Sequence, residues 1–163
     1  MRQTRGVIPR LGSRGQGWVA LQMVLLVVIA VVGLLTRGSW PATARVATLG
    51  LGVLLMLAGA VVAGLALTGL GSALTALPAP LEGETLRTQG VYAVVRHPIY
   101  GALILLATGF ALLTSPWALV PTAVLTIVLD LKRRVEEDFL STAYADYADY
   151  RRAVPHALLP GLW

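Results

Sequence analysis

Two long apolar stretches, Trp18 to Thr36 and Val46 to Leu70, constrain this chain more than any other feature. Each carries no charged residue and is long enough, as a helix rising about 1.5 Å per residue, to cross the roughly 30 Å hydrocarbon core of a bilayer. No water is present there to satisfy peptide groups, so a spanning segment must bond its own backbone as a helix or close into a barrel. Two shorter apolar runs, Pro98 to Thr114 and Trp117 to Leu131, meet at Ser115-Pro116 and read as a helical hairpin. Being short for full spans, they are expected to tilt, to extend past the apolar run, or to thin the bilayer. The expected fold is all-α: a polytopic membrane protein with about four transmembrane helices and a C-terminal cytosolic helix followed by a Pro-containing tail. A mean hydropathy of +0.75 agrees with that choice of solvent.

Charge sets the orientation. The chain has 13 Lys and Arg, and all but Arg37 and Arg45 fall in the N-terminal segment, in the connection from residue 71 to 96, or beyond Leu131. The positive-inside rule then places both termini in the cytoplasm, and the inner membrane of a bacterium is the expected location. A net charge of +5 is topological on this reading. No basic face with interleaved aromatics is visible, so nucleic acid is not an expected partner. With no cysteine and two histidines, neither a disulfide framework nor a metal cage is expected. Residues 1–17 read as a flexible basic segment and 18–163 as a single membrane domain. Trp18 to Thr36 exceeds the usual length of a signal-peptide core, and Arg37 would fall in the cleavage region, so the run reads as a retained anchor. Gly50, Gly52, Gly59, Ala60, Ala63 and Gly64 give the second run a small-residue surface on which another helix can approach closely.

The polar residues cluster in two places. Arg96-His97-Pro98 precedes the third run, and proline suits the first helical turn because its missing N–H would be orphaned there anyway. His97 therefore sits at a helix mouth, where free N–H groups, the helix dipole and the Arg96 charge make a site for a carboxylate or phosphate. Tyr100 and Gly101 lie one turn in, on the same side. Beyond the fourth run, Arg133 and Glu136 are three apart, as are Arg134 and Glu137, so each pair can meet on a helix surface. Adjacent glutamates near the membrane are costly unless they hold a cation, a hydroxyl pair or a counter-ion. Tyr144, Tyr147 and Tyr150 recur every third residue. Tyr147 and Tyr150 read as interfacial anchors, whereas Tyr144 is placed to cover a cofactor. The polar connection from residue 71 to 96 is long for so compact a chain, and such loops are functional or disordered.

These two clusters resemble the isoprenylcysteine carboxyl methyltransferase family of integral membrane methyltransferases, itself similar to the phospholipid N-methyltransferases. The first family element is matched by Leu74-Thr75 through Pro78, Pro80 and Gly83, then Gly90-Val91-Tyr92 and Arg96-His97-Pro98 to Tyr100. The second is matched by Glu136-Glu137 and Leu140, then Tyr144, Tyr147, Tyr150, Val154 and Pro160. Departures are Ala76 and Val91 where proline is usual, Ala145 where Gly or Pro is common, and His156 where Arg is common. The resemblance covers about residues 70 to 160. It implies S-adenosylmethionine as methyl donor, with S-adenosylhomocysteine as product, bound by Gly90, Tyr92, Arg96, His97, Tyr100, Glu136, Glu137 and Tyr144. Glu136 or Glu137 would take the ribose hydroxyls or the ammonium. The acceptor would be lipophilic and enter from the bilayer, with a carboxylate, an amine and a thiol all open. Arg134, with Arg133 second, is the candidate for holding an anionic acceptor, and Glu137 or His97 is available as a base. Two rivals stand beside this: a reductase related to the membrane sterol reductases, and a non-catalytic membrane scaffold or lipid-binding protein.

Overall fold

The computed structural model describes residues 8–81 and 83–161. Arg2, Arg5, Glu82 and Trp163 lie outside the described residues. Five α-helices follow in order: α1 (Gln16–Leu35), α2 (Ala42–Leu70), α3 (Pro98–Thr114), α4 (Leu119–Ala143) and the short α5 (Tyr147–Ala153). The all-helical expectation holds for the described residues, and the four apolar runs become α1 to α4. α1 and the helical stretch from Ala42 to Ala73 are long and apolar enough to cross a membrane, with mean hydropathies of 2.7 and 2.4. Their Leu and Val side chains mostly face outward, among them Val24, Val27, Val31 and Leu34 on α1 and Leu54, Leu57, Val61 and Leu65 on α2. An exterior of that kind suits lipid and is unfavourable in water.

The helices run up and down, and hydrogen bonds fix which ends meet. The α1–α2 turn is tied to the α3–α4 turn through Gly38 N to the Thr114 carbonyl at 3.0 Å, Thr36 Oγ1 to Ser115 Oγ at 2.7 Å, and Trp40 Nε1 to the Ala111 carbonyl at 3.2 Å. The two polar clusters singled out in the sequence gather at the opposite end. There α4 does not stop with its apolar run at Leu131 but continues to Ala143, carrying Glu136 and Glu137 on the same rigid rod. Leu125, Leu129, Ile29, Ile104 and Leu158 form the core between α1, α3, α4 and the C-terminal segment.

Residues 8–17 behave differently from the expectation of a flexible segment. Residues 1–7 lie outside the described residues, but the rest is held to the body. Trp18 Nε1 donates to the Pro9 carbonyl at 3.0 Å, Ala79 N donates to the Arg14 carbonyl at 3.4 Å, and the Arg10 guanidinium lies 4.8 Å from the centre of the Phe139 ring. The reason is Trp18, a 4% exposed aromatic whose indole N–H needs an acceptor once buried.

α2 packs on α3 through glycines. A Cβ on Gly109 would stand 2.9 Å from both the Gly52 carbonyl oxygen and the Met56 amide nitrogen, and one on Gly59 would stand 3.1 Å from the Ala102 carbonyl oxygen. Gly50 and Gly64 face open space, so only part of the small-residue surface is an interface within this chain. Gly109→Ala is expected to force α2 and α3 apart and cost about 1–3 kcal/mol. Gly64→Ala, with a clear Cβ position in a helix, should be neutral or slightly stabilising. Thermal unfolding in detergent micelles compares the two directly.

Candidate functional site

Pro98 occupies the first turn of α3, with His97 as its N-cap residue. The backbone just ahead of it is anchored from outside: Arg96 N donates to the His156 carbonyl at 3.1 Å and His97 N to the Ala157 carbonyl at 2.8 Å. The departure at His156 therefore lies where the backbone carbonyl makes the contact. One turn into α3, a Cβ on Gly101 would overlap the Leu158 carbonyl oxygen, so glycine is what lets the C-terminal segment lie against α3. His97 and Tyr100 stack at 5.6 Å between ring centres, as their spacing of three requires.

The two glutamates have separate surroundings. Glu137 is 5% exposed, and its Oε1 accepts from Arg96 Nε at 3.0 Å and Arg96 Nη2 at 2.9 Å. His97 Nε2 stands 3.2 Å and Arg133 Nη1 3.5 Å from the same oxygen. Burial pushes the Glu137 carboxyl up, but its contacts with His97 and Arg96 outweigh this and hold it at about 2. Arg96 turns Nη1 to the C-terminal segment, 2.6 Å from the Val154 carbonyl and 2.7 Å from the Pro155 carbonyl. Glu136 faces the other way. Its Oε2 accepts from the Tyr100 hydroxyl at 2.5 Å and lies 3.7 Å from His97 Nδ1, and the side chain lines a cavity of about 470 Å³.

That cavity lies between the α3 entrance, α4, the end of α2 and the connection before α3. Its apolar wall includes Leu67, Leu70, Leu77, Ile99, Leu103 and Leu140. The residues after Gly71, expected to be functional or disordered, fold over it, and the Tyr144 hydroxyl fastens them by donating to the Glu84 carbonyl at 3.1 Å. Tyr92 and Tyr150 act as bolts: the Tyr150 hydroxyl donates to the Tyr92 carbonyl at 2.7 Å, and the Tyr92 hydroxyl to the Ala66 carbonyl at 3.2 Å.

Of the residues singled out in the sequence, the cavity wall brings together Tyr92, Arg96, His97, Tyr100, Glu136 and Tyr144. Glu137 lies behind that wall as the clamp on Arg96. Gly90, at φ +61°, turns the backbone into the short helical turn that carries Tyr92. Arg134 is 55% exposed in its side chain, bonds Asp130 through Nε at 2.8 Å and is not part of the wall. Arg133 is likewise held by Asp130, Nε to Oδ1 at 3.0 Å.

Wall residues not expected at the site include Gln22, Arg87, Lys132, Tyr147 and Tyr150. Lys132 stands four residues before Glu136 and so shares its helix face, and Gln22 is an amide inside an apolar run; both signals were legible. Tyr147, expected as an interfacial anchor, is 1% exposed. Among the described residues, its hydroxyl and Arg87 Nε are buried donors without a hydrogen-bond partner, and both side chains line the cavity. Burial pushes the Tyr147 hydroxyl upward from its ordinary pKa, so it is a protonated donor at neutral pH.

A family model described as phospholipid methyltransferase matches residues 47–147, and the chain belongs to that family. Its members are the integral membrane class that the apolar helices and the resemblance above already indicated. The chain is also similar to the cobalt-zinc-cadmium resistance protein CzcN of Cupriavidus metallidurans, at 35% identity over 85 residues. That match takes in 50% of this chain and 38% of the relative, so the chain spans well under half of that protein's length. No solved structure matches the chain.

Two outcomes follow from the site itself. Because the Glu137 carboxyl is held below its ordinary value of 4.5, its contribution to stability is present above that pH and lost as pH falls towards about 2. Glu137→Gln should abolish that acid-dependent loss and, by stranding Arg96, cost about 3–5 kcal/mol at neutral pH. Denaturant titrations at several pH values in micelles measure both effects. Tyr147→Phe removes an unpartnered hydroxyl, so the same measurement should find the protein as stable as the parent, or more stable by about 1 kcal/mol.

Proposed function

We propose that this protein is a methyltransferase that uses S-adenosylmethionine to methylate a lipophilic acceptor drawn from the bilayer, most simply a carboxylic acid. The observation that carries the reading is Glu136: a carboxylate in the cavity wall, beside His97 and Tyr100 at the mouth of α3. Membership of the phospholipid methyltransferase family supports it.

The residues present fit such a donor. A cavity of about 470 Å³ falls within the usual range of small-molecule sites. Glu136 has Oε2 engaged by Tyr100 and leaves Oε1 for a ribose hydroxyl or an ammonium group. The unpartnered Tyr147 hydroxyl and Arg87 Nε are donors that a ligand oxygen or ring nitrogen would satisfy. When bound, S-adenosylmethionine supplies a methyl group on a positively charged sulfur. The chain's own part is then alignment and exclusion of water. α3 and α4 hold Glu136 and Tyr100 in fixed register, which keeps donor and acceptor at reacting distance. Apolar walls lower the local dielectric, which favours a step in which opposite charges neutralise one another. Arg134, engaged by Asp130 and turned outward, is replaced in the acceptor-holding role by cations of the cavity wall.

The family description favours a second acceptor, the amine of a phospholipid head group. A protonated amine must lose its proton before attack, and Glu136 is the wall carboxylate placed to take it. Positive charge at the cavity end supports a cytoplasmic opening with both termini on that side.

Calorimetry with S-adenosylhomocysteine on protein in nanodiscs tests the reading. The parent should bind, and Glu136→Gln should bind at least about tenfold more weakly while unfolding at the parent's temperature. Absence of binding by folded parent protein overturns it. Labelled-methyl transfer into a lipid extract, fractionated into acids and amines, then separates the two acceptors.

A further inference from the structure

Lys132 is a cation that the donor site above leaves unused. It is 1% exposed, lies four residues before Glu136 on α4, and lines the cavity. Its Nζ donates to Gln22 Oε1 at 2.8 Å and stands 4.9 Å from the centre of the Tyr100 ring. Among the described residues its Nζ makes no close ion pair, and the Glu136 carboxylate one turn on acts on it from farther away. An amide oxygen and a ring face recover only part of the hydration that an ammonium loses on burial. The other buried cation of the wall, Arg96, has Glu137 as a counter-ion in direct contact; Lys132 has the neutral Gln22 amide there, with Glu136 farther off.

We infer that Lys132 and Gln22 form a carboxylate subsite in the cavity wall, anchoring the acidic end of a ligand between α4 and α1. The donor inventory matches that group. Lys132 has three N–H bonds, of which Gln22 accepts one, and Gln22 keeps its own NH₂ beside the ammonium. Two neighbouring donors suit the two oxygens of a carboxylate, and the positive charge disfavours a ligand ammonium or sulfonium at the same point. Gln22 also lies outside residues 47–147, so half of the subsite comes from a helix that the family match does not include. Trp18 on α1 and Val128 and Val135 on α4 pack in one cluster, which fixes Gln22 against Lys132.

The proposed function supplies two sources for the carboxylate, and the inference rests on that reading only for which source applies: the amino-acid end of the methyl donor, or a lipophilic acid acceptor. Two ligand pairs separate them, each measured against protein-free nanodiscs. The first is S-adenosylhomocysteine and its decarboxylated analogue; the second is hexadecanoic acid and hexadecanamide. The parent should favour the carboxylate member of at least one pair by about tenfold or more. Lys132→Met and Gln22→Leu should reduce that preference without changing affinity for the partner lacking the carboxylate, while Lys132→Arg should keep it. A preference confined to the adenosyl pair assigns the subsite to the donor, and one confined to the fatty pair assigns it to the acceptor. Binding of the fatty acid with no adenosyl binding would sink the donor reading and leave the subsite standing. Parent protein with no preference in either pair overturns the subsite before any variant is made, and so does a preference that survives Lys132→Met.

Discussion

The Glu137 carboxylate joins three stretches that are far apart in the chain: the α3 entrance through Arg96 and His97, the α4 extension on which it rides, and the C-terminal segment that Arg96 grips through the Val154 and Pro155 carbonyls. Arg96 can do this because a guanidinium offers several donors in one rigid plane, two for the carboxylate and others for carbonyls beyond it. The rest of the site inherits its geometry from that clamp. Successive residues on a helix point about 100° apart, so with Glu137 turned into the clamp its neighbour Glu136 is turned towards Tyr100 and the cavity. A pair of glutamates thereby divides into an anchor and a group left available to a ligand.

The membrane part serves this arrangement by rigidity. Glycines at the α2–α3 contact bring two backbones close, where side-chain packing in lipid must replace the hydrophobic drive that water would provide. At one end of the bundle the two turns are hydrogen-bonded together. At the other lies the cavity, whose wall combines charged and tyrosine side chains with leucine and isoleucine. A wall of that mixed kind is what a ligand with a charged head and an apolar body would need. The connection after α2, supported by the N-terminal segment through Arg14 and fastened by Tyr144, closes its outer side.

Much of this was legible in the sequence. The apolar runs gave the four long helices, because hydrophobic length in lipid leaves few alternatives, and Pro98 marked the α3 start to the residue. Spacing of three placed His97 against Tyr100. What was not legible was the use of each polar group. Arg134 and Arg133 look alike in sequence, as do Glu136 and Glu137, and adjacent like residues differ only in which way the helix face turns.

The sequence by itself determined the solvent, the helical class and the two polar clusters, since these follow from local composition and from periodicities of three and four residues. Only the tertiary structure decided that Glu137 is an anchor and Glu136 a wall residue, that Tyr147 is buried with an unpartnered hydroxyl, and that Gln22 and Lys132, 110 positions apart, meet. Those assignments depend on which helices pack together and at what rotation. That is set by the sum of many weak contacts across the bundle, which no short stretch of chain contains.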